Sequence, residues 1–301
     1  MTRSVIASVV AVLAVAGAAQ AQVNGQLKPI YGPSVAVQSV GTQFGNSNLG
    51  QVGAANGSEL NAAFGYIDGG NLNILLTGNL ESNFNNLNIF IDSGVAGGLN
   101  QLPNAADLPD IGFGKLRRLG GDGSGNGLRF DSGFNANFYL AIAGGGTDFF
   151  VDGATLNTSG NSGSFIGQSG YGQTGTLTGG TNFLNALIAI DNSNTAGVNS
   201  FGDPMGDPLT AVTGIELQIP LASLGYTGGD IRVLAFIASP SNDFLSNQFL
   251  GALPAGSPNV GDPRGKDLST IAGEQFFVIP TPGSLALMAM GGLIAARRRR
   301  A

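Results

Sequence analysis

The chain reads as an all-β protein, an antiparallel two-layer β-sandwich of jelly-roll-like form, and three observations predict it. Apolar residues alternate with period two in short runs, as at Leu87, Ile89 and Ile91. Residues that favour reversals separate those runs, with 50 glycines supplemented by Asn and Asp. Almost no stretch of the body carries the 3.6-residue period of an amphipathic helix. About nine or ten short strands therefore follow, closed by Gly-rich turns.

Taken in order, residues 23–56 read as an extended leader with one edge strand at Val35, Ala36 and Val37. Residues 61–67 and 72–76 flank Asp68, Gly69, Gly70 and Asn71, which tolerate positive φ and predict a hairpin. Residues 87–91 form the next strand. Between 94 and 127 the pattern is lost, and Gly and Pro predict a long surface excursion with few residues to bury, cut first by proteases near Lys115, Arg117 or Arg118. Strands return at 135–143 and 149–151. Residues 159–181 have little to bury, and Thr174, Thr176 and Thr178 form one rung of a threonine array. Strands follow at 183–190, 214–219 and 231–238, and Pro220 ends the second because it cannot donate to a ladder. Residues 243–250 suit one or two helical turns with Phe244, Leu245 and Phe249 inward, before a last strand at 274–279. The expected core includes Leu72, Ile74, Leu87, Ile89, Ile91, Tyr139, Leu217, Ile219, Val233 and Phe236.

Composition removes most familiar chemistry. No Cys means no disulfides or thiolate sites, and no His means no Ser-His-Asp triad or zinc-histidine site. The formal charge of −6 understates the acidity of the body, because Arg3 and the four terminal arginines lie at the ends. An acidic body argues against nucleic acid as a partner. A glycosidase needs two carboxylates flanking the scissile bond, and no pair stands out. Glu216 alternates with Ile215 and Leu217, which places it on a solvated strand face.

No cofactor is expected, although Asp-rich turns in an acidic chain would suit calcium. The one EF-hand-like start, Asp191 to Thr195, fails: Ala196 stands where the loop needs Gly, and Gly202 where it needs Glu. No catalytic, cofactor or metal ligand set is assigned. Polysaccharide binding calls for an exposed aromatic platform; Trp is absent, and Tyr171 between Gly170 and Gly172 is the tyrosine expected to be exposed.

The two ends carry the strongest signals. Arg3 precedes an apolar run at 5–18, and Ala19 and Ala21 are the small residues a signal peptidase needs, so residues 1–21 read as a signal peptide that leaves Gln22 first. The body is residues 22–279. Residues 280–301 open with Pro280, Thr281, Pro282 and Gly283, run through a short apolar segment and end in Arg297, Arg298, Arg299 and Arg300. The apolar segment is shorter than the ~20 residues that span a bilayer core, and the arginines should stay cytoplasmic.

This tail resembles the PEP-CTERM sorting signal of exported bacterial proteins, in the Pro-x-Pro-Gly variant common in planctomycete-type proteins, with Thr281 where the commonest form has Glu. The resemblance implies cleavage by an exosortase-like membrane transpeptidase. The body resembles an uncharacterised family of such proteins through residues 76–81, 88–93, 127–134 and 245–250. The phrase at 219–225 is distantly similar to carbohydrate-binding and cytochrome-binding sandwiches, a likeness of fold that does not transfer function.

The expected function is that of an exported, non-catalytic cell-surface or extracellular-matrix protein with transient C-terminal membrane anchoring. A module binding exopolysaccharide is the alternative, and an ice-binding protein or secreted hydrolase the third.

Overall fold

The computed structural model describes residues 22–123, 127–199 and 206–281. Among them lie thirteen strands: β1 (Ala36–Val37), β2 (Glu59–Asp68), β3 (Asn71–Asn79), β4 (Asn83–Asp92), β5 (Phe138–Gly145), β6 (Asp148–Thr155), β7 (Ser162–Gly170), β8 (Thr178–Gly179), β9 (Leu187–Ile190), β10 (Gly214–Pro220), β11 (Ile231–Ala238), β12 (Leu245–Leu250) and β13 (Phe277–Ile279). The described residues hold one short α-helix, α1 (Lys115–Leu119), and several 3-10 turns.

The strands form two antiparallel sheets. One has the order β1-β2-β3-β10-β9; the other runs β12-β11-β4-β5-β6-β7-β8, with β13 also paired to β11. The hairpin between β2 and β3 closes as predicted. Asp68 pairs with Asn71, and Gly69 (φ 57°) and Gly70 (φ 79°) supply the two positive-φ positions of a two-residue turn matched to strand twist.

The sheets share one core, in which Leu72, Ile74, Leu217 and Ile219 of the first meet Leu87, Ile89, Ile91 and Val233 of the second. Period-two alternation places these side chains on facing surfaces, and all eight are fully buried, as are Tyr139 and Phe236.

Several expectations are corrected by burial on the outer faces. Phe90, Tyr139 and Phe236 point away from the shared core, and the 94–127 excursion covers them with Leu102, Leu108, Leu116 and Leu119. The excursion is thus a third layer with its own helix, and Lys115 is buried within it. Its leucines fall at no fixed period, because they pack as a cap and not as a regular element.

Residues 245–250 form strand β12 instead of helical turns. Leu245 and Phe249 are four apart, a spacing that suits a helix and also an even strand period, and pairing with β11 decides for the strand. Phe244 is exposed. Residues 159–181 contain β7 and β8, in which small residues are interrupted by Phe165, the buried Ile166 and Gln168; Thr178 lies in β8 and Thr174 and Thr176 precede it. The strand expected at 183–190 begins only at Leu187.

Tyr171 is buried, its ring edge-on to Phe149 at 5.9 Å between centroids. Glu216 is buried as well. Alternation put it on the correct outer face, but residues 24–31 lie across that face: the Tyr31 hydroxyl and the Asn24 and Gly25 amides donate to its carboxylate, and Lys28 Nζ pairs with it at 2.5 Å.

Candidate aromatic groove

The excursion does not cover the whole outer face of the second sheet. Beyond its edge a groove of about 1280 Å³ lies open over β5, β6 and β7. Cross-strand pairing builds its floor: Ala143 faces Phe150, Phe150 faces Gln168, and Asp152 faces Phe165. Phe150 and Asp152 are two apart on β6 and so share a face.

Phe165 and Gln168 are three apart, which on a regular strand would set them on opposite faces. A register shift between Val151 and Asp152 leaves Ile166 as an extra residue on β7 and brings both to the groove. A second shift, between Asn83 and Asn86, lies at the start of β4, where Phe84 has φ 69°. Phe84 is half exposed and stacks on Phe150 at 6.3 Å. A Cβ on Gly145 would sit 2.2 Å from the Phe84 ring, so only glycine lets that ring lie flat on the hairpin. Two bulges thus aim two phenyl rings at one surface.

One wall is residues 112–115. Phe113 adopts φ 59°, ψ 41° between Gly112 and Gly114 and is wholly exposed. A second wall is the turn joining β11 to β12, with Ser239, Pro240, Ser241 and Asp243. Asn242, in the same turn and fully buried, ties the walls together: its Nδ2 donates to the Lys115 carbonyl at 3.1 Å and to Asn88 Oδ1 at 2.8 Å. Tyr139 OH donates to the same Asn88 oxygen at 2.7 Å. This network holds the walls in register, although Asn86, which donates to Asn242 Oδ1, leaves its own buried Oδ1 without a partner.

Two opposite charges sit low in the groove. Lys115 and Asp152 are 8% and 7% exposed. Burial pushes the Lys115 pKa down against the attraction of Asp152, and pushes the Asp152 carboxyl up against the Lys115 charge and the Gly112 amide. Four ion pairs come within 4.0 Å among the described residues, and none joins these two. A Cβ on Gly112 would lie 2.6 Å from Asp152 Oδ2 and 2.9 Å from Lys115 Cδ, so glycine lets the wall close over both.

Sequence reasoning looked for Trp and Tyr and passed over the 18 Phe. The legible part was Phe150, which alternation turns away from the buried Phe149. Phe84 and Phe165 depend on bulges, and Asp152 and Lys115 meet only through folding.

Of the residues assigned to the targeting signals, Ala19, Ala21, Pro282, Gly283, Arg297, Arg298, Arg299 and Arg300 lie outside the described residues. Gln22 is exposed. Pro280 follows β13 directly, and the Thr281 amide donates to Asp230 Oδ1 at 3.2 Å. No helix among the described residues is long and apolar enough to cross a membrane. They also hold no group of three or more acidic side chains placed to bind a metal ion. In the stretch weighed for calcium, Asp191 accepts from Ser193 N and Gln26 Nε2, and Asn194 Nδ2 donates to the Gly78 and Thr213 carbonyls. No family model, curated protein or solved structure matches the chain.

Proposed function

We propose that this chain is an exported, non-catalytic protein of the cell envelope or extracellular matrix, whose jelly-roll-like sandwich binds exopolysaccharide along the aromatic groove. Residues 1–21 and 280–301 supply its delivery, through signal peptidase and an exosortase-like transpeptidase acting on a tail that anchors it transiently. The observation that carries the binding role is the set of four phenyl rings, Phe84, Phe113, Phe150 and Phe165, converging on one open groove. A wholly exposed phenyl ring forgoes roughly 1.5–3 kcal/mol of burial, a cost that a ligand covering Phe113 would recover. An open groove also suits a polymer, which can enter from the side.

The test is affinity electrophoresis of the full chain through gels loaded with neutral and acidic bacterial polysaccharides, beside the Phe84→Ala/Phe113→Ala pair. The parent should be retarded in at least one gel, and the pair should lose about tenfold in affinity, or ~1.4 kcal/mol. Equal retardation of parent and variant would remove the groove from the function.

A further inference from the structure

The groove also restricts the charge of what it takes. Resting on the polysaccharide reading, we infer that it selects uncharged glycan chains: Asp152 accepts from sugar hydroxyls, Lys115 donates to sugar oxygens, and the phenyl rings cover the C–H face of the same units.

The reasoning runs through the alternatives. An anionic chain, such as a uronate, would bring a carboxylate beside Asp152. Two like charges about 4 Å apart repel by ~4 kcal/mol at the effective dielectric of a protein surface. The groove offers no net charge to offset this, because Lys115 is balanced by Asp152 and the Asp243 carboxylate on the rim by the nearby Arg118. A cationic chain would set its ammonium groups against Lys115. A hydrocarbon would cover the phenyl rings but offer no hydrogen bond to Lys115 or Asp152.

A neutral polyol meets every demand at once. Lys115 Nζ has donors to give, the Asp152 carboxylate accepts, and the two do not close on each other within 4.0 Å, so each keeps capacity for a third group. Sugar rings carry hydroxyls at their edges and C–H bonds on their faces. That division matches Lys115 and Asp152 set among Phe113, Phe150 and Phe165.

The experiment is calorimetric titration of the full chain with hexasaccharides of β-glucan, mannan and xylan, against oligogalacturonate and chitosan hexamers. At least one neutral hexamer should bind about tenfold more tightly than either charged one, ~1.4 kcal/mol. Its affinity should change less than about twofold between roughly 20 and 300 mM salt, since no net charge is matched. Lys115→Met should weaken it about tenfold, ~1.4 kcal/mol. Asp152→Asn should weaken it too while raising affinity for oligogalacturonate, because the floor then carries a net positive charge. Tightest binding of a charged hexamer, with steep salt dependence, would overturn the charge inference and leave glycan binding standing. Binding of no hexamer, together with polysaccharide retardation indifferent to Phe84 and Phe113, would remove both. The parent's charge preference and salt response need no variant, so a misfolded Asp152→Asn protein leaves the test intact.

Discussion

Glu216 sits 3% exposed midway along β10, where four donors from residues 24–31 converge on its carboxylate. It fastens the leader to β10. Glu216→Ala would strand Lys28 and the Tyr31 hydroxyl, so a loss of about 3 kcal/mol is expected in denaturant unfolding. Adding Lys28→Met should restore part of that loss, and an unchanged midpoint for the single variant would show that the leader is not held there. Glu59 behaves differently. It is fully buried, accepts from Asn199 N at 2.8 Å and Asn61 Nδ2 at 3.0 Å, and burial pushes its pKa from 4.5 up to about 7 against those two bonds. The folded state holds this proton after the unfolded chain has released it. Its contribution is complete below the unfolded value and is lost as pH rises through about 7. Between about pH 4.5 and 7 the parent should lose roughly 3 kcal/mol relative to Glu59→Gln, read from unfolding midpoints at several pH values. Parallel pH curves for the two proteins would contradict this.

The excursion and the bulged strands set the character of the elements. Leu116 and Leu119 of α1 are fully buried against the outer face of the second sheet. Their burial keeps Arg117 and Arg118, on the same helix, in a folded segment. Leu116→Ala should cost about 3 kcal/mol and hasten tryptic cleavage at Arg117 or Arg118, followed by mass spectrometry of the fragments. If parent and variant are cut at equal rates, the excursion is not held by this packing. Because α1 also carries Lys115 and the wall closing over Asp152, the same layer that completes the hydrophobic core shapes the groove.

Across the whole molecule, β11 runs from the exit of the C-terminal tail to the groove. Its first residues pair with β13, after which Pro280 and Thr281 leave the sheet, and its last residue, Ala238, leads into the groove wall. Eight strand residues span ~26 Å, which separates the β13 end of the strand from the groove wall. Replacing Arg297, Arg298, Arg299 and Arg300 with Gln should impair delivery to the cell surface, because the cytoplasmic stop is lost. The unfolding transition of the body should stay unchanged. Surface labelling of cells measures the first and denaturant unfolding of the purified chain the second; normal surface delivery would overturn the sorting reading.

Alternation and turn chemistry made the all-β class, most strand positions and the shared core legible, since both act within a few residues of chain. The Asp68–Asn71 turn and the buried series Leu87, Ile89 and Ile91 follow from local geometry alone. The targeting signals proposed for residues 1–21 and 280–301 are likewise local readings, of composition alone. What covers a sheet face is not local. Whether Glu216 meets water or Lys28, and whether Leu116 caps a core or hangs in a loop, depends on segments far apart in sequence. The groove belongs to this second kind: bulges in β4 and β7 turn Phe84 and Phe165 to one side, and packing brings Lys115 from the excursion to Asp152 on β6. Residue type and spacing determined which faces are apolar, and only the tertiary structure decided which of them stay open, because that depends on where the rest of the chain comes to lie.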